Sequence, residues 1–389
     1  MRERKSVTPT SKAKRIGPFY VMELLEQARE IERGGESVIH LEIGEPDFNT
    51  PEAVKRAAIQ AIQENRTFYT ESLGLPALRE RIAAHYQETH KLSVSPERII
   101  VTSGTSGAFL LLSAVLLNRT RNLVLSDPGY PCYKNFGLLA DARLKPIPIS
   151  EDSGFEMRVE DLSKLRASPH LLVIANPANP TGTLYRDGTI DALRTFVSKA
   201  HGAMVVDEIY SGLTYGEDFR SSLAVSDEII VVDGFSKTYA MTGWRLGWVV
   251  VPPSLVRPIQ KVAQNVFISP PTISQYAAIH ALDCIAEVEQ MRRVYRERRD
   301  FLVPELKRLG FSVPVEPKGA FYIYAGIERW KLDSMDFVQR ALREARVALT
   351  PGYDFGLFRA NSHVRFSFAN RMEQLKEGCR RLATWLETM

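Results

Sequence analysis

Cysteine is scarce in this chain, with Cys132, Cys284 and Cys379 alone among 389 residues. Such wide spacing makes neither a disulfide framework nor a zinc pattern, and a reducing, cytoplasmic setting is the simplest expectation. Long apolar runs are missing too. The longest, Ala108 to Leu117, is about half of what a bilayer span needs, so no membrane crossing is expected. Internal repeats and low-complexity tracts are absent. Charge of one sign is short outside the first fifteen residues, which hold Arg2, Arg4, Lys5, Lys12, Lys14 and Arg15 against Glu3. The whole chain carries only +4, so the remainder is close to neutral, which argues against a nucleic-acid surface on the body. That basic start has no apolar stretch of the kind a signal peptide needs, and 1–15 reads as a flexible arm. The seven histidines show no ligand spacing, and no metal site is expected.

An apolar fraction of 44% is enough for a substantial core. Strand-like runs at Asn122–Ser126, Leu171–Ala175, Ala203–Val206, Ile229–Val232 and Gly247–Val251 alternate with helical patterns. Those patterns include 51–64 (with Thr50 as N-cap), 75–90, 105–117 and 189–200. The alternation predicts an α/β fold with a mostly parallel sheet covered by helices on both faces. From about Ile273 to Leu309 a long, charged helical pattern follows, then a shorter mixed segment with strands near 320–324 and 363–368. A domain change is expected near residue 290, with 16–45 packing against the C-terminal part.

Ligands of an open parallel sheet collect at the carboxyl ends of its strands. Three consecutive predicted strands deliver polar groups there. Asn176 through Gly182 follows the first, Asp207-Glu208-Ile209-Tyr210 the second, and Ser236-Lys237-Thr238 through Arg245-Leu246-Gly247 the third. Taken singly, each has a structural reading, as a turn starter, a helix cap or a core aromatic. Taken jointly, they read as a site.

The chemistry that suits this set is that of pyridoxal phosphate. Asp207 can pair with the ring nitrogen and keep it protonated, so that the ring accepts electrons from a substrate α-carbon. Tyr210 and Asn179 can hydrogen-bond the phenolic oxygen. Lys237 can join the aldehyde and, once displaced, carry a proton. Ser236 and Arg245 can hold the phosphate. Ser103-Gly104-Thr105-Ser106-Gly107, opening a helix, offers an N-terminus to the same anion.

With these residues in view, the chain resembles the class I aminotransferases, fold-type-I pyridoxal-phosphate enzymes that include bacterial aspartate aminotransferases. The blocks that carry the resemblance are Gly44 to Phe48, Tyr69 with Gly74 to Arg79, Asn176 to Gly182, Asp207 to Tyr210, the Lys237 segment, Gly319 to Tyr322 and Arg365 to Ser367. It implies a seven-stranded large domain over 46–290, a small domain from 16–45 and 291–389, and a homodimer with shared active sites. It makes Lys237 the Schiff-base lysine and Tyr130 the aromatic that stacks on the pyridine face. It assigns the phosphate cup to Ser236, Arg245, Gly104, Thr105 and Ser106, joined by Tyr69 of a second subunit. Arg365 becomes the clamp for the substrate α-carboxylate, helped by the Gly44 amide and Asn179.

Substrate choice is less legible. Some aspartate aminotransferases of this type carry Gly-Gly-Lys where this chain has Gly104-Thr105-Ser106, and that lysine helps to read a second carboxylate. Ser106 in its place, with Ile16, Phe19, Tyr130 and Phe355 as expected entrance residues, favours a neutral or aromatic amino acid. The expected partner is a 2-oxo acid such as 2-oxoglutarate; aspartate stays possible. A carbon–sulfur β-lyase is the alternative reaction on the same cofactor. A non-catalytic regulator is a third reading, for which only about fifteen residues precede the resemblance.

Overall fold

Buried aliphatic strands make the centre of the molecule. Leu171–Ala175, Ala203–Asp207 and Ile230–Gly234 are covered along almost their whole length. Strands between two helical layers must be apolar on both faces, which is why their sequences run without alternation. They pair in parallel, with Ala175 opposite Asp207 and Asp207 opposite Val232. The structure, a computed structural model, describes residues 7–216 and 218–389.

The full sheet has seven strands in the spatial order Ile99–Thr102, Gly247–Val250, Ile230–Gly234, Ala203–Asp207, Leu171–Ala175, Asn122–Asp127, Arg143–Pro148. Only Gly247–Val250 runs against its neighbours. Two of these strands escape the sequence pattern. Ile99–Thr102 is just four residues long, and Arg143–Pro148 carries charges and two prolines, which an edge position tolerates.

Several helices differ from expectation at their ends. The first long helix of the large sheet's cover spans Glu52–Gln63, and Thr50 does not cap it. Instead Thr50 Oγ1 donates to Ala240 O at 2.7 Å and accepts from Trp244 Nε1 at 3.0 Å, tying this segment to the Lys237 loop. The predicted helix 75–90 is α-helical over Pro76–His85 and widens to a π-turn over Tyr86–His90. The long charged helix is two, Thr272–Ala281 and Ile285–Leu309, broken by a turn at 282–284. The domain change expected at 290 thus falls inside the second.

Both chain ends join a separate apolar cluster, which includes Leu24, Leu41, Leu306, Phe337, Phe366 and Leu382. Ile39–His40 pairs in parallel with Val347–Ala348. Thr350–Pro351, His363–Ser367 and Tyr322–Gly326 form an antiparallel sheet. Part of the expected arm has local structure where the residues are described. Ser11–Arg15 is a short helix, and Lys12 Nζ donates to Leu139 O at 3.2 Å and Asp141 Oδ2 at 2.8 Å. Residues 1–6 of the arm lie outside the described residues.

Asp47 and Arg298 lock the Gly44–Phe48 segment onto the helix Ile285–Leu309. The guanidinium donates twice, at 2.7 and 2.8 Å, and lies 5.4 Å from the ring centroids of Phe48 and Tyr295. Removing one partner of a mostly buried pair strands the other charge. Arg298→Ala is therefore expected to destabilise the protein by about 3 kcal/mol, lowering the thermal midpoint by several degrees. An unchanged melting curve would show that the clamp contributes little.

Candidate active site

Strand ends hold several of the expected groups, and hydrogen bonds link some of them. Asp207 is the last residue of Ala203–Asp207 and is 3% exposed. Its Oδ2 accepts from Tyr133 Oη at 2.6 Å and its Oδ1 from Ile209 N at 3.1 Å. Burial raises its carboxyl pKa to about 6, although Tyr133, Ile209 and Lys237 all pull it down.

Lys237 follows the next strand, half-buried, and its Nζ donates to Gly44 O at 2.6 Å. Burial lowers its ammonium pKa to about 8. Glu45 and Asp207 oppose that fall, while Arg365 and Arg245 add to it. All four charges therefore sit close enough to act on one amine.

Arg365 is 4% exposed in the strand His363–Ser367. Nη1 donates to Asn179 Oδ1 at 3.1 Å, and Nη2 to Glu42 O at 2.6 Å and Thr350 Oγ1 at 3.3 Å. Its Nε is buried with no partner among the described residues. The guanidinium carbon lies 4.2 Å from the Tyr322 ring centroid and 5.0 Å from that of Phe355. A buried, unpaired donor beside aromatic faces suits an incoming carboxylate.

Tyr210 is fully enclosed, its Oη 2.8 Å from Tyr322 Oη, with Phe321 and Tyr322 edge-on. Tyr322 also explains Gly44, where a Cβ would lie 2.5 Å from the Tyr322 hydroxyl oxygen. Gly104 opens the helix Gly104–Leu116 with φ +70°. A Cβ there would lie 2.8 Å from Arg245 Nη2, so only glycine lets the guanidinium rest over the helix N-terminus. Arg245 itself has a left-handed φ of 52°, and its Nη1 donates to Thr242 O at 3.0 Å. Ser236 is buried at the strand end, while Thr105 and Ser106 stay half-buried in the first helical turn.

Tyr130 stands beside Tyr133, ring centroids 5.2 Å apart and nearly perpendicular. A cavity of about 560 Å³ adjoins it, with Phe19, Leu138, Leu144, Pro146 and Phe355 among its walls. Of the four expected entrance residues, Phe19, Tyr130 and Phe355 line it. Ile16 does not; it ends the helix Ser11–Arg15. Tyr69 is 77% exposed, on the outside of its own chain. Tyr133, Tyr322 and Thr350 were missed as site residues. Tyr133 had a faint signal, lying three residues past Tyr130 where a helix starts at Pro131.

These residues fit pyridoxal phosphate: a lowered amine, a buried carboxylate with lone pairs to spare, and an arginine over a helix N-terminus. A family description, "Aminotransferase class I and II", matches residues 36–382. The chain belongs to the class I and II aminotransferases. It is accordingly a transaminase, of a family that generally depends on pyridoxal phosphate. It is 36% identical over 375 residues to a valine–pyruvate aminotransferase of Mycobacterium tuberculosis, covering 95% of this chain and 97% of that one. It is 38% identical over 376 residues to a (5-formylfuran-3-yl)methyl phosphate transaminase of Methanocaldococcus jannaschii, covering 95% and 96%. Among solved structures, an aminotransferase from Mycobacterium tuberculosis superposes with a TM-score of 0.95 at 34% identity, covering 99% of this chain and 100% of that one. An aspartate aminotransferase from Thermus thermophilus with maleate gives 0.92 at 32%, covering 97% and 100%. The mostly parallel sheet is that of the fold-type-I transferases.

The lowered pKa of Lys237 can be read directly. Competitive acylation of the cofactor-free protein, followed by mass spectrometry, should give a labelling midpoint near pH 8 for Lys237. Below it the ammonium is protected and above it the amine reacts. A midpoint above about 10, the ordinary lysine range, would contradict the enclosure described.

Proposed function

We propose that this transaminase holds pyridoxal phosphate on Lys237 and moves an amino group between a neutral or aromatic L-amino acid and a 2-oxo acid such as 2-oxoglutarate. The exchange runs as two ping-pong half-reactions. The observation that carries this reading is geometric: the Lys237 amine rests on Gly44 O, two residues from the Glu42 O that holds Arg365, and Asp207 ends the neighbouring strand. When bound, the cofactor supplies an aldehyde for the substrate amine and a ring that takes up the electrons of the α-carbon.

The chain's own residues do the rest. Asp207 keeps the ring nitrogen protonated; Tyr210 and Asn179 serve the phenolic oxygen. Gly104, Thr105, Ser106, Ser236 and Arg245 hold the phosphate, with Tyr69 from a second copy. Tyr69 faces outward at 77% exposure, which supports its use by a partner in a homodimer. Tyr130 covers one face of the ring. Arg365 takes the α-carboxylate through its free Nε and a guanidinium edge, with the Gly44 amide and Asn179 beside it. Lys237 Nζ then takes the α-carbon proton and later returns one. Burial, which lowers its pKa in the cofactor-free protein, favours the free amine that such a base must be.

The cavity beside Tyr130 carries Arg15, Asp127, Lys134 and Asp354 as well as apolar walls; its Phe19, Leu138, Leu144 and Phe355 face supports a neutral or aromatic side chain, as does Ser106 in place of a cation. The relatives' names span valine–pyruvate, a furan phosphate and aspartate, so likeness alone does not choose the substrate. The reading also carries a large cofactor domain over 46–290 and a small one from 16–45 and 291–389. The free, mostly buried cysteines support a cytoplasmic setting.

The test is a panel of amino donors against 2-oxoglutarate and pyruvate, monitored by the cofactor's visible absorbance. Neutral or aromatic donors should give the larger kcat/KM. Release of pyruvate and ammonia from cystathionine without an acceptor would select a lyase instead. Lys237→Ala should lose turnover by roughly a thousandfold or more. Arg365→Lys should raise KM roughly tenfold for every donor, since an ammonium does not reproduce the guanidinium fork; an unchanged KM would remove Arg365 from that role.

A further inference from the structure

We infer that Tyr133 is a positioning residue that fixes both the Asp207 carboxylate and the Tyr130 ring, and so sets how Asp207 meets the cofactor's ring nitrogen. The inference rests on the proposed role of Asp207 and extends it to a residue that the sequence did not single out. Tyr133 lies in the first turn of the helix Pro131–Leu139 and is 5% exposed. Its Oη donates to Asp207 Oδ2 at 2.6 Å, while Oδ1 accepts from Ile209 N. One donor on each oxygen holds the carboxylate plane against rotation. Each oxygen keeps a lone pair, so the plane is fixed without being used up.

The tyrosine ring is itself immobilised. It lies 4.7 Å from the Phe109 centroid and 5.2 Å from that of Tyr130, with Tyr130 at 75° to it. Tyr130 therefore leans on the same ring whose hydroxyl orients Asp207. One residue thereby registers the aromatic that covers the cofactor against the carboxylate that pairs with it. A residue with mere packing duty would need no hydroxyl. This hydroxyl, buried next to an anion, has Asp207 as its partner.

Tyr133→Phe keeps the ring and deletes only the donor. Equilibrium binding of pyridoxal phosphate to the apoprotein should weaken by roughly ten- to a hundredfold, the range for losing one hydrogen bond to a charge. In the loaded enzyme kcat should fall, with KM for amino donors unchanged within about twofold. The donor holds the Asp207 pKa down. Without it the carboxylate protonates at higher pH, so the acid limb of kcat should move upward. Site-specific 3-fluorotyrosine at 133, a stronger donor on the same ring, should move that limb downward and keeps the test decisive if the phenylalanine variant folds poorly. In an Asp207→Asn background, Tyr133→Phe should cost less than about twofold. If Asp207→Asn is severely impaired while both Tyr133 variants leave affinity and pH limb unmoved, the inference fails and the role of Asp207 survives. If Asp207→Asn is itself unimpaired, the underlying role fails.

Discussion

A carboxylate cut off from water is costly unless the protein replaces the lost hydration, and Asp207 is such a carboxylate. Its position follows from the sheet. The parallel register puts it opposite Ala175 on one side and Val232 on the other, at the end of a strand with no polar residue before it. Two hydrogen bonds and the Lys237 charge supply part of the replacement. The remainder suits a protonated ring nitrogen of the kind the proposed cofactor would bring.

Glu42 and Gly44 connect the two ends of the chemistry. Glu42 O accepts from Arg365, and Gly44 O, two residues on, accepts from Lys237. Arg298 anchors the same stretch through Asp47. The Lys237 amine and the Arg365 guanidinium, more than a hundred residues apart in sequence, are thus indexed to one short run of backbone.

Much of this was legible from sequence because strand ends announce themselves. Valine- and isoleucine-rich runs followed within a few residues by Asn179, Asp207 and Lys237 drew out those three as candidates, and alternation around Arg365 hinted at burial. Tyr133 and Tyr322 were not legible as partners, since a tyrosine in an apolar context reads as core until a hydroxyl partner appears from a distant segment. The strand Arg143–Pro148 was hidden by its prolines, and the turn at 282–284 by a helical pattern that continues through it. Thr50 fitted a cap but found better partners in Ala240 and Trp244. Contacts between remote segments decide such cases, and local pattern does not contain them.

The central claim is that Asp207 keeps the cofactor ring nitrogen protonated. Nitrogen-15 NMR of ring-labelled pyridoxal phosphate bound at neutral pH tests it most directly. The account predicts a pyridinium signal in the native protein and a neutral-ring signal in Asp207→Ala. A neutral ring in the native protein, or the same protonated signal in both, would contradict it.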